Sequence, residues 1–84
     1  MAETEITFHN KAATSVQAQI FTGRTLVSTC VAGPGEIRTL LPAESAPYDI
    51  FFKHGTTGWE IARKLGCEAV DITLSQINGQ YILT

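Results

Sequence analysis

Apolar and polar residues alternate with a period of two along most of this chain, in short runs that end at Gly, Pro, Asn or Asp. That period sends successive side chains to opposite faces of an extended backbone, so each run predicts a half-buried strand. The run from Thr4 to His9 turns Ile6 and Phe8 one way and Thr7 and His9 the other, then stops at Asn10-Lys11. From Ser15 to Thr22 the alternation is cleanest. Val16, Ala18 and Ile20 share one face, Gln17 and Gln19 share the other, and Phe21 interrupts the polar set. Gly23-Arg24 offers a tight reversal into Thr25 to Val31, where β-branched Val27, Thr29 and Val31 favour extended backbone, and the two runs should form a hairpin.

Gly33-Pro34-Gly35 marks a turn, because proline lacks an N–H and glycine accepts positive φ. A shorter extended run follows from Glu36 to Leu41, closed by Pro42, and the segment to Pro47 reads as a surface loop. Tyr48 to His54 is the most aromatic stretch, with Tyr48, Ile50 and Phe52 on one side and Asp49, Phe51 and Lys53 on the other, so Phe51 needs a partner. Thr56 to Gly66 carries two signals. Trp59, Ile61, Arg63 and Leu65 alternate as a strand does, whereas Thr57-Gly58-Trp59-Glu60 fits a capping box and Gly66 a helix C-cap. A helix of about two turns gains little without packing, so strand is expected, with a short helix at 58–65 as the alternative. Ala69 to Ser75 points Val70, Ile72 and Leu74 one way; Asn78-Gly79 then supplies a type I′ hairpin signal, and Gln80 to Leu83 is the last strand.

Seven or eight short strands joined by turns predict an all-β fold, an antiparallel β-sandwich or small partly open barrel, forming one domain over residues 1–84. The expected core is Phe8, Val16, Ile20, Val27, Ile50, Phe52, Trp59, Ile61, Ile72 and Leu74. A chain of 84 residues buries only about 60 to 65% of its unfolded surface, so association with partners is a natural way to gain stability.

Charge and composition narrow the function. Charged residues make up 17% of the chain, the formal net charge is −2, and the six Lys and Arg are scattered. Nucleic acid is therefore an unexpected partner, since no basic stripe is present to displace counterions from phosphates. No apolar run approaches the ~20 residues of a membrane span, and the first residues lack the pattern of a secretory signal. The chain reads as soluble; its localisation is unknown, with cytoplasm the default and a secreted mature form left open. Cys30 and Cys67 are too few for a disulfide framework and read as two small thiols, with a pairing between them as the alternative.

Candidate chemistry is sparse, and no enzyme activity or cofactor is expected. His9 and His54 lack the spacing that brings metal ligands together with Cys30, Cys67 or Asp49. A thiol- or carboxylate-dependent enzyme using Cys67 or Asp49 is the third reading of the chain. Thr56-Thr57-Gly58-Trp59 is similar to the Thr-Thr-Gly-aromatic loop of chagasin-type cysteine-protease inhibitors over four residues, without the Asn-Pro that precedes it there, and assigns nothing.

What remains is a surplus of aromatic side chains. Phe21, Phe51 and Tyr81 fall out of phase with the inward sets and sit among uncharged polar groups. A twisted barrel with both faces partly buried explains them one way. An interface explains them another, because low-charge, aromatic-bearing sheet faces suit protein partners, symmetric copies or sugars. The first reading is thus a non-enzymatic binding module that self-associates or takes a protein partner, with Phe21, Tyr48, Phe51 and Trp59 as contact residues. The second is a carbohydrate- or lipid-headgroup-binding domain that stacks its ligand on Trp59 or Tyr48.

Overall fold

A computed structural model of the chain describes residues 5–40, 47–68 and 71–84. Those residues form eight strands and no helix: β1 Ile6–Lys11, β2 Val16–Thr22, β3 Thr25–Ala32, β4 Ile37–Leu40, β5 Tyr48–His54, β6 Glu60–Cys67, β7 Asp71–Ile77 and β8 Gln80–Leu83. They make two four-stranded sheets, ordered β4-β1-β7-β8 and β3-β2-β5-β6, and neither closes on itself. Of the two architectures expected, the structure is the sandwich. Every neighbouring pair is antiparallel except β1 and β7, which run parallel.

The turns follow from local chemistry. Gly33, Pro34, Gly35 and Glu36 form a type II turn: the Glu36 N–H donates to the Gly33 carbonyl at 3.0 Å, proline sets φ at the second position, and Gly35 takes φ +78° at the third. Asn78 (φ 52°) and Gly79 (φ 78°) are both left-handed, the type I′ geometry whose twist matches that of β7 and β8.

The core lies between the sheets. Ile6, Phe8, Leu40, Ile72 and Leu74 face Val16, Ala18, Ile20, Ile50 and Phe52, all fully buried or nearly so. Phe8 of one sheet meets Phe52 of the other with ring centroids 5.1 Å apart. One polar side chain is sealed in with them. Asn10 donates from Nδ2 to the carbonyls of Thr14, Ala32 and Gly33 and accepts the Ala12 N–H on Oδ1, while its backbone bonds Gly35 and Glu36. This residue ties the β1–β2 connection to the β3–β4 connection at one end of the sandwich.

Several sequence expectations need correction. The helix alternative at 58–65 is absent, because Glu60–Cys67 pairs along β5 and so satisfies its backbone in a ladder. Trp59 is no core residue: it is 76% exposed, at the point where the β5–β6 loop ends. Val27 and Ile61 only flank the core, each at a register irregularity that shifts the phase of its strand. Tyr48, expected on the contact surface, is buried at 2% exposure on the same face as Ile50 and Phe52. The expected start at Thr4, the close at Pro42 and the placement of Val70 lie outside the described residues.

Candidate functional site

The outer face of the β3-β2-β5-β6 sheet carries the out-of-phase aromatics. Ile20 and Ile50 point inward, so Phe21 and Phe51, one residue on, point outward from neighbouring strands. Their rings meet edge-to-face with centroids 5.4 Å apart and an interplanar angle of 83°. That geometry sets the positive edge of one ring against the negative face of the other. Phe51 pairs across the ladder with Arg63 of β6, whose guanidinium carbon lies 5.5 Å from the Phe51 centroid. The partner that Phe51 needed is therefore on the same sheet, in two parts.

Apolar residues surround this cluster. Leu26 pairs with Phe21 and Val31 with Gln17, which puts both on the outer face, and Leu65 shares the Arg63 face two residues along. They are 46%, 54% and 59% exposed respectively. The nearby acids are already engaged, and Lys53 lies on the same face opposite Gln17. Arg63 holds the Glu60 carboxylate at 2.6 Å, and Asp49 Oδ1 accepts the Gly66 N–H at 2.9 Å, bracing the irregularity between β5 and β6. The result is a face of aromatic, aliphatic and amide groups whose acids are engaged and whose cations are Arg63 and Lys53.

Sequence reasoning named Phe21 and Phe51 and missed Arg63, Leu26, Val31 and Leu65. Those four become visible only with the cross-strand register, which pairs Phe51 with Arg63 and Phe21 with Leu26 and Asp49. Trp59 stands apart from the cluster, at the end of the β5–β6 loop. His54 organises that loop: its Nδ1 accepts the Thr56 and Thr57 N–H groups at 3.1 and 3.2 Å, so the ring proton sits on Nε2, 3.1 Å from Thr14 Oγ1. His54 is thus a loop clasp joining the β5–β6 and β1–β2 connections.

The thiols sit on opposite edges of one sheet, Cys30 on β3 and Cys67 on β6, with two strands between them. Three strand spacings of about 4.8 Å exceed the reach of a disulfide, so none joins them. Burial pushes the Cys30 thiol up, against smaller opposing effects of Arg38 and the Ala18 backbone. Cys67 is buried beside Tyr48, whose hydroxyl is pushed up to about 12, first by burial and then by the neighbouring Cys67. Among the described residues, no group of three His, Cys, Asp or Glu side chains is placed to hold a metal ion. No helix of the described residues is long and apolar enough to cross a membrane.

Searches against known protein families, curated proteins and solved structures give no match, so the fold and this face carry the functional reading.

Proposed function

We propose that the chain is a non-enzymatic interaction module that self-associates through the outer face of the β3-β2-β5-β6 sheet. The observation that carries this is the Phe21–Phe51–Arg63 cluster, ringed by exposed Leu26, Val31 and Leu65 on a face whose Glu60 and Asp49 are internally engaged. Aromatic and Arg enrichment is the composition of interface centres. The rings are held by each other, so little side-chain freedom is lost when a second surface lands on them. Four strands about 4.8 Å apart and about seven residues long at about 3.3 Å each span about 19 by 23 Å. That projected area of about 400 Å² per copy is below the ~800 Å² per partner of a standard interface, so the contact is weak and concentration-dependent.

Phe51→Asp tests this. The variant keeps the inner face intact and sets a carboxylate at the centre of the outer one. Sedimentation equilibrium should show a self-associating wild type and a folded variant whose association is weakened; identical sedimentation of the two would end the proposal.

A second reading rests on Trp59. A tryptophan 76% exposed at a loop end offers a flat apolar ring with an N–H donor, suited to stacking on a sugar or settling among lipid headgroups. Tyr48 cannot share that task from the core. Quenching of the single tryptophan on a glycan and liposome panel tests it, and an unchanged spectrum across the panel removes it.

A further inference from the structure

The four edge strands of the sandwich are not protected alike. An edge strand presents unpaired N–H and C=O groups that template pairing with another strand, and natural sheets blunt their edges by short length, charge, proline or bulges. β4 and β8 have four residues each, and β4 carries Arg38. β6 has eight residues but holds Glu60, Arg63 and Lys64 and two register irregularities. β3 also has eight, with no charge and no proline of its own, and Thr25, Val27, Thr29 and Val31 all favour extended backbone; Arg38 of β4 covers its edge at the Val31 carbonyl. Its single irregularity, at Val27, lies toward the Gly23-Arg24 hairpin and leaves Ser28 to Ala32 in regular register with β2.

One hydrogen bond shows which groups face outward. Arg38 Nε donates to the Val31 carbonyl at 3.3 Å from outside the sheet, so that carbonyl points away from β2. In an antiparallel ladder the N–H and C=O of one residue point to the same side, and the direction repeats every second residue. The Thr29 N–H and C=O therefore also point outward, where no described strand of that sheet lies.

We infer that β3 pairs antiparallel with β3 of a second copy, about a two-fold axis at Thr29. The pairing stands independently of the face contact proposed above. Each Thr29 then meets its counterpart with two outward groups on both sides, so two hydrogen bonds are exchanged and the interface closes as a symmetric dimer. The same register sets Ser28 against Cys30, small against small, with no like charges opposed, while Val27 packs toward the core and Val31 lies on the outer face. A second copy is the occupant because an uncharged strand with outward Thr29 N–H and C=O groups is complementary to itself.

The test is a crosslink. Thr29→Cys with Cys30→Ala places thiols across the axis at a Cα separation of about 5.5 Å, within disulfide reach. Mild oxidation should give a covalent dimer at least ~10-fold faster than Thr39→Cys with Cys30→Ala, whose thiol lies on β4. Equal rates would overturn the inference. Thr29→Pro removes an N–H that β2 does not use; it should keep the β-sheet circular dichroism and weaken association at least ~10-fold, and unchanged association in the folded variant would count against edge pairing. If the proline variant fails to fold, the crosslinking rates alone decide. Adding Phe51→Asp separates the two surfaces. The Thr29→Cys crosslink should persist there, and its loss would assign pairing to the face and overturn the edge.

Discussion

Replacing Asn10 by alanine removes four side-chain hydrogen bonds from a site with no exposed surface. Two of them are fully buried: Nδ2 to the Ala32 carbonyl at 2.9 Å, and the Ala12 N–H to Oδ1 at 2.9 Å. The other two reach the Thr14 and Gly33 carbonyls near the surface, where water can replace the lost donor. The Ala32 carbonyl also faces Val16 across the β2–β3 ladder, so the group left without a partner is the Ala12 N–H, at a cost of about 1 to 3 kcal/mol. The lost Nδ2 bonds add to this and water entering the vacated volume recovers part of it, so about 2 to 3 kcal/mol is the expected loss. At about 0.05 to 0.15 kcal/mol per residue a chain of this length has about 4 to 13 kcal/mol in total, so the loss is a substantial share of its stability. Urea titration followed by far-ultraviolet circular dichroism measures the loss. Tryptophan emission is a poor reporter, since Trp59 is already exposed in the folded chain. Gln17→Ala is the control, because its amide makes only a 3.5 Å contact to Thr29 Oγ1 on the outer face. An Asn10→Ala midpoint within about 0.5 kcal/mol of the control would refute the role of Asn10 as the tie between two connections.

Other substitutions and conditions probe separate parts of the account. Phe52→Ala empties one half of the ring contact between the sheets and should cost about 3 to 5 kcal/mol by calorimetry. Gly55→Ala would place a Cβ 2.7 Å from Ser15 Cβ and 2.9 Å from the Ser15 carbonyl oxygen, forcing apart a connection held by the Gly55 N–H; a loss of about 1 to 3 kcal/mol is expected. Tyr48 binds its proton more tightly folded than unfolded. Stability is therefore untouched below its ordinary value of 10.0 and falls as pH rises from there to about 12, which alkaline melts of wild type and Tyr48→Phe should separate. A double-mutant cycle of Phe51→Leu and Arg63→Gln should give a coupling of about 0.5 to 1 kcal/mol at this exposed site, and zero coupling would remove the cation–π contact.

Strands were legible because each buries one face, and a two-residue period is then forced on the sequence; Val16, Ala18 and Ile20 against Gln17 and Gln19 is the clearest case. Turn chemistry was legible for the same local reason at Pro34-Gly35 and Asn78-Gly79. The parallel β1–β7 pair was not, since its partners are about sixty residues apart and nothing local encodes them. Trp59 was misplaced because alternation carried it into phase with Ile61, whereas the register irregularity at Ile61 resets the strand and leaves the ring at the loop end. Asn10 read as a residue that ends a strand. Its role depends on four carbonyl and amide groups, two of them contributed by Ala32 and Gly33 across the sandwich. Of the four contact residues expected, the structure brings Phe21 and Phe51 together, leaves Trp59 exposed elsewhere and buries Tyr48.

The most direct measurement is a concentration series of amide and aromatic chemical shifts by nuclear magnetic resonance. The account predicts that shifts of Gln19, Phe21, Phe51, Arg63 and Leu65 move together as concentration rises from about 10 μM to about 1 mM, spanning the weak affinity expected of so small a face, while Thr7, His9 and Thr73 on the opposite sheet stay fixed. Shifts that stay constant throughout, or that move on the β4-β1-β7-β8 face instead, would contradict it.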